Sequence, residues 1–203
     1  YNKFDKIEME ILRNNEVIGY NNYFFERDGE TTTVKNQYKF EVKLLSATIF
    51  KVEGYGEEIY LNDRLISFQS KTLQNKKEKF VSLKLDKNKK KFNIKGSSYS
   101  GEASLKNIIG NWWSHKILQA ESQISPISGS IKEQLVTFIG KENVAINGKE
   151  FETDHFKLTS KDMSLPEDKR LNFDIWLDKK TSVIVKVTYE RMGNWEYRLK
   201  NIE

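Results

Sequence analysis

The chain has no cysteine, two prolines and two histidines in its 203 residues. The first absence excludes disulfide staples and thiolate metal sites, and a domain of this length needs no staple. Apolar residues are also in short supply, at 37%, whereas aromatic residues reach 12%. A core must therefore be built from aromatic and β-branched side chains. No stretch approaches the roughly 18 to 20 consecutive apolar residues that a helix needs to cross a bilayer, so no transmembrane segment is expected. Charge of one sign is lacking too: 34 basic residues against 29 acidic ones leave a formal +5. A densely charged surface of both signs argues against specific or strong nonspecific nucleic-acid binding.

What is present is period-2 alternation, recurring about every ten to twelve residues between polar turn clusters. Strands are expected at Lys3 to Leu12, Val17 to Phe25, Thr31 to Val42, Thr48 to Leu61, Arg64 to Leu73, Lys77 to Leu85 and Lys91 to Lys95. A second block follows at Lys132 to Gly140, Val144 to Ile146, Lys149 to Thr159, Leu171 to Leu177, Val183 to Arg191 and Trp195 to Asn201. Turn chemistry separates them at Asn14-Asn15, Arg27-Asp28-Gly29, Asn62-Asp63, Asp86-Lys87-Asn88 and Asn147-Gly148, and Met163 to Lys169, with Pro166, reads as a loop. Between the blocks, about residues 96–130, the pattern breaks into Gly, Ser and a doubled Trp, a crossover or lid with a short helix expected near Leu105 to Ile109. The fold class is all-β: one domain over residues 1–203, a single curved antiparallel sheet forming a barrel or half-barrel. Gly54 and Gly56, inside the long fourth strand, are expected to mark a bulge that helps the sheet curl.

Catalytic frames are missing. His115 and His155 have no second ligand-type residue at metal-site spacing, so neither a metal site nor a cofactor is expected. Glu152 and Asp154 alternate onto one face of a strand and His155 onto the other, the pattern of a solvated strand face rather than an acid–base site. Gly96-Ser97-Ser98-Tyr99-Ser100-Gly101 lacks the Gly-Lys-Ser/Thr ending of a phosphate loop and the Gly-x-Ser-x-Gly frame of a nucleophile turn, and reads as a flexible connection. The basic run Lys76 to Lys91 reads as a solvated hairpin tip. No catalytic residue is assigned.

The chemistry-bearing feature is Trp112-Trp113 with Ile108, Ile109, Ile117 and Leu118, an apolar concentration in a segment that otherwise reads as loop. Two readings stay open. The residues plug one end of the barrel as core, or they line or gate a pocket for an apolar ligand. Both expect a buried Trp, and only the second expects a cavity.

Several short motifs, in order, resemble a group of exported bacterial proteins known only as domains of unknown function. They are Glu16-Val17-Ile18-Gly19-Tyr20, Phe40-Glu41-Val42-Lys43, Arg64-Leu65-Ile66-Ser67-Phe68 with Ser70 and Thr72, and Asn111-Trp112-Trp113. The closing stretch is the most specific: Trp176-Leu177-Asp178, Val183-Ile184-Val185-Lys186-Val187, Gly193 and Trp195-Glu196-Tyr197-Arg198-Leu199. The resemblance implies a signal peptide removed before Tyr1, a periplasmic or secreted location and a half-barrel reminiscent of lipoprotein carriers. It implies no activity. The leading expectation is a non-catalytic binding or carrier module for an apolar, lipid-like small molecule. The alternatives are an envelope protein-interaction or assembly factor acting through a strand edge or aromatic patch, or a structural domain.

Overall fold

A computed structural model describes residues 4–203. Tyr1 and the expected strand start at Lys3 lie outside the described residues. Seven strands run as a meander: β1 (Lys6–Arg13), β2 (Glu16–Asp28), β3 (Thr31–Leu44), β4 (Ala47–Leu61), β5 (Arg64–Gln74), β6 (Lys77–Asp86) and β7 (Lys91–Gly96). Then come β8 (Ser100–Ser104), β9 (Ile108–Ile109), a 3-10 turn at His115–Leu118 and β10 (Ser122–Ile124). The second block is β11 (Ile131–Ile146), β12 (Lys149–Ser160), β13 (Asn172–Asp178), β14 (Ile184–Glu190) and β15 (Asn194–Ile202).

All belong to one 15-stranded sheet with the order β8-β7-β6-β5-β4-β3-β2-β1-β15-β14-β13-β12-β11-β10-β9. Every pairing is antiparallel except β9 with β10, which is parallel. The two terminal blocks therefore meet in the middle of the sheet, β1 against β15, while the middle of the chain supplies both edges. The sheet rolls up without hydrogen-bonded closure. Side chains seal it instead: Ile109 and Ile124, from one end, pack with Phe92, Ile94 and Ala103 from the other. Backbone contacts add to the seal, with Ser98 N–H donating to the Ser128 carbonyl at 2.9 Å.

The residue-level cause is strict alternation. Across the inner face Ile7 sits opposite Tyr23, Tyr23 opposite Asn36, Asn36 opposite Gly56, Gly56 opposite Ser70 and Ser70 opposite Val81. A one-residue slip anywhere along this row would turn a whole strand inside out. Hairpin chemistry fixes the register where Asn and Asp accept the left-handed backbone, at Asn14 and Asn15 (φ 50° and 67°), Asn62 and Asp63 (49° and 60°) and Asn147 before Gly148 (51° and 77°).

Several expectations need correction. Gly54 and Gly56 are not in a bulge, because the β3–β4 register runs unbroken through both. They make room for rings: a Cβ on Gly54 would stand 2.5 Å from the Tyr38 ring, and one on Gly56 3.2 Å from Phe68. The register shifts that let the sheet coil lie elsewhere, at Glu8/Met9, Ile11/Leu12, Val42/Lys43, Ile59/Tyr60, Phe138/Gly140 and Trp176/Leu177. The expected strands Lys132 to Gly140 and Val144 to Ile146 are one strand, β11, continuous through the Phe138/Gly140 shift. The helix expected at Leu105 to Ile109 is replaced by a turn and β9, and the helical turn lies further on, at His115–Leu118. Ser97 to Gly101 is not a loose connection but the turn and start of a hairpin, and Gly96 sits where a Cβ would come 2.5 Å from the Ser128 carbonyl.

Candidate functional site

The segment from β9 to β10 crosses the interior of the rolled sheet, and its polar groups are met by polar groups on the inner face. Glu58, on β4, is buried to 2% exposure. It accepts three hydrogen bonds: from Asn111 Nδ2 (2.5 Å) and Trp113 Nε1 (2.8 Å) on Oε1, and from the Tyr60 hydroxyl on Oε2. Burial pushes the Glu58 carboxyl above its ordinary pKa, against the opposing pull of these three donors. Burial and the Glu58 charge together drive the Tyr60 phenol well up. The Trp113 ring meets Phe25 and Tyr60 edge-on, with centroids 5.5 and 5.9 Å away. This carboxylate is an anchor that ties the crossover to β4 and satisfies an indole N–H that would otherwise be buried without a partner.

Trp112 faces the other way. Its backbone N–H donates to the Tyr23 hydroxyl at 3.2 Å, and its ring lies against Phe173 (5.0 Å) and Tyr197 (6.3 Å). Beside it opens a cavity of about 570 Å³, walled by Tyr23, Tyr38, Trp112, Phe173, Tyr189 and Tyr197. Its floor holds the amides Asn21, Asn36, Asn111 and Gln123. Asn36 Nδ2 donates to Asn21 Oδ1 (2.7 Å), and Asn21 Nδ2 donates to the Tyr23 hydroxyl (2.9 Å). Burial holds the Tyr23, Tyr38 and Tyr189 phenols above their ordinary pKa and raises Tyr197 to about 12, so the wall is neutral at physiological pH. It offers hydroxyl dipoles and ring faces, not charge.

The six residues expected to form a ligand site are therefore scattered. Trp112 alone lines the larger cavity. Ile108, Ile109 and Trp113 border a smaller one of about 290 Å³ on the opposite side of the crossover. Ile117, fully buried, packs with Leu158, Leu171, Ile175, Ile184 and Val187, and Leu118 lies against the same cluster. Trp113 is packed in the core, and Trp112 borders the cavity. The tyrosines and asparagines of the wall and floor were missed because they are spread over β2, β3, β14, β15 and the crossover, at most two to an element. The only sequence signal was their inward parity, Asn21 and Tyr23 on β2 and Asn36 and Tyr38 on β3, at positions where a solid core would carry aliphatic residues.

His155 is not on a solvated face. Its side chain is 17% exposed and stacks on Trp176, centroids 4.4 Å apart. Its ring nitrogens lie 3.0 Å from Glu142 and 2.9 Å from Asp174, on the neighbouring strands β11 and β13. Glu152 and Asp154 do not take part. His115 lies on the 3-10 turn, where burial holds its pKa down. Among the described residues no group of three or more His, Cys, Asp or Glu side chains is arranged to hold a metal ion. Lys89 and Lys91, in the basic run, pair with Glu102 on β8. No helix among the described residues is long and apolar enough to cross a membrane.

No functionally curated protein matches the chain. Among solved structures, it is similar to a beta-barrel-like protein of the domain of unknown function DUF1849 from Brucella abortus, with a TM-score of 0.64 at 11% identity over 98% of this chain and 95% of that one. At that identity the likeness concerns the fold alone. Residues 9–200 match the domain of unknown function DUF6134, and the chain belongs to that family.

Proposed function

We propose that this domain is a non-catalytic binding or carrier module, periplasmic or secreted, that holds a lipid-like small molecule in the cavity beside Trp112. The observation that carries the reading is the cavity itself, about 570 Å³ walled by five aromatic side chains of the sheet and one of the crossover. Small-molecule sites fall in roughly the 300 to 1,000 Å³ range and are lined mostly by apolar and aromatic groups with a few fixed polar ones. A barrel of this length could have filled the space with Leu and Ile. Here amides and tyrosines occupy inward positions instead, held by hydrogen bonds to one another. Burying an acyl chain there contributes about 0.8 kcal/mol per methylene.

Docking through a strand edge has less to stand on. The edge strand β8 is five residues long and carries Glu102, paired with two lysines, and β9 at the other edge is two residues long. Short, charged edges resist strand addition.

The test is mass spectrometry of an organic extract from protein purified natively from its host's envelope fraction, joined to titration of the purified protein with a fluorescent fatty acid. A stoichiometric apolar ligand, or saturable binding weakened by Trp112→Ala, is expected. An empty protein that also fails to bind the probe would overturn the reading.

A further inference from the structure

The cavity has a chemically distinct mouth. Lys132 shares the inner face of β11 with Gln134 and Val136, and Arg191 continues the inward series Val187, Tyr189 just beyond β14. Arg170 immediately precedes Leu171 of the core. All three line the cavity. They converge on one short loop, residues 165–169: Lys132 Nζ donates to the Lys169 carbonyl at 2.6 Å, Arg170 Nε to the Leu165 carbonyl at 2.7 Å and Arg191 Nη2 to the Asp168 carbonyl.

Carbonyl acceptors orient a cation without neutralising it. None of the three forms an ion pair within 4.0 Å among the described residues, although such pairs are frequent elsewhere on this surface, from Lys6–Glu8 to Arg198–Glu10. Two carboxylates, Glu167 and Glu190, also line the mouth; both are exposed, as is Arg191, whereas Lys132 and Arg170 are half-buried. Burial first, then the Arg191 and Lys169 charges, hold the Lys132 pKa down against the opposing pull of the Asp168 carboxylate, the balance of a cation that meets more positive than negative charge with its solvation reduced. Deeper in, the neutral phenols and amides present nothing that repels a negative charge at the entrance.

Resting on the binding reading above, we infer that the ligand is an amphiphile with an anionic head group, carboxylate or phosphate, seated between Lys132, Arg170 and Arg191 at the mouth, with its tail running inward along Trp112 and Tyr197. Guanidinium forks suit such oxyanions, and charge-assisted hydrogen bonds are roughly twice as strong as neutral ones.

The experiment compares cis-parinaric acid with cis-parinaryl alcohol, which shares its tail and lacks its charge. Binding is read by probe fluorescence and energy transfer from tryptophan, in the native chain and in the double variant Lys132→Gln/Arg191→Gln. The acid is expected to bind about tenfold more tightly than the alcohol, with the double variant bringing it down to the alcohol's level. Dodecyl phosphate should displace the acid at concentrations where inorganic phosphate does not. If the alcohol binds as tightly as the acid, or the double variant keeps the acid's advantage, the head-group assignment is overturned while the cavity reading stands. Displacement by inorganic phosphate alone would overturn it in favour of a simple anion site. If neither probe binds, the cavity reading falls and this inference with it. Should the double variant fold poorly by circular dichroism, the acid-to-alcohol ratio of the native chain, and its decline with added salt, decide the matter alone.

Discussion

Trp112 and Trp113 are adjacent in the chain and opposite in role. Trp113 is only 7% exposed, clamped by its N–H to Glu58 and wedged against Phe25 and Tyr60. Trp112 lies on the far side of the same crossover, its ring against Phe173 and one face of the cavity open beside it. One side of the crossover is held by a buried carboxylate and packed rings, the other by a thin network of amides and phenols around the cavity. The crossover divides the interior this way because it bends at the Trp pair, turning Asn111 and Trp113 to Glu58 and Trp112 to Phe173. The lesson is that core packing and cavity wall are separated between adjacent residues of one segment and can be perturbed independently.

That separation can be broken most severely at Trp113. Replacing Trp113 with Ala removes a buried indole and one of the three donors to Glu58, and should cost about 3 to 5 kcal/mol in chemical denaturation. Trp112→Ala should cost about half as much or less while weakening probe binding, because the ring already borders the cavity. Equal losses of stability at the two positions would dissolve the distinction.

Glu58 offers an effect of comparable size. Glu58→Leu leaves the Asn111 amide, the Trp113 indole N–H and the Tyr60 hydroxyl without their acceptor, and should destabilise by about 1 to 3 kcal/mol for each donor that water cannot reach. Glu58→Gln keeps an acceptor oxygen and should be far milder. It also isolates the pH dependence. Because the folded-state pKa of Glu58 is raised, the native protein holds the proton more tightly than the unfolded chain. Its contribution to stability is fully present below the unfolded carboxylate pKa and is lost as pH rises through the raised value. Equilibrium unfolding from pH 4 upward should therefore show a downward trend in the native chain that Glu58→Gln flattens. A trend unchanged in the variant would exclude Glu58 as its source.

On the cavity side, Gly54→Ala places a methyl against the Tyr38 ring and should push the hydroxyl off Thr72, which it now meets at 2.5 Å. A cost of about 1 to 3 kcal/mol is expected from the overpacking, with altered probe affinity because Tyr38 belongs to the wall. The smallest effect lies on the exposed edge. Lys89 and Lys91 hold the Glu102 carboxyl down at about 2, yet the pair is solvent-screened, and Glu102→Gln should leave the melting temperature unchanged within error.

How much of this was legible beforehand depended on whether the signal was local. Strand positions and hairpins were, because alternation and Asn-Asn, Asn-Asp or Asn-Gly pairs act within a few residues. The turn at Leu45 and Ser46 was not: both adopt positive φ (48° and 67°) with no residue type that favours it, because the long β3–β4 ladder imposes the reversal. The site was legible only at the Trp pair. Its other walls come from β2, β3, β13, β14 and β15, and no short-range spacing links Asn21 to Tyr189.

By itself, the sequence determined an all-β chain, its strands, most of its turns, the interruption in its middle and the inward parity of each residue, since these follow from backbone geometry and period-2 burial. Only the tertiary structure decided that the sheet rolls with β1 beside β15, that the crossover runs through the interior with Glu58 as its anchor, and that a cavity remains beside Trp112. Those outcomes depend on how many residues of twist and bulge accumulate between distant strands, a sum over the whole chain that no local pattern records.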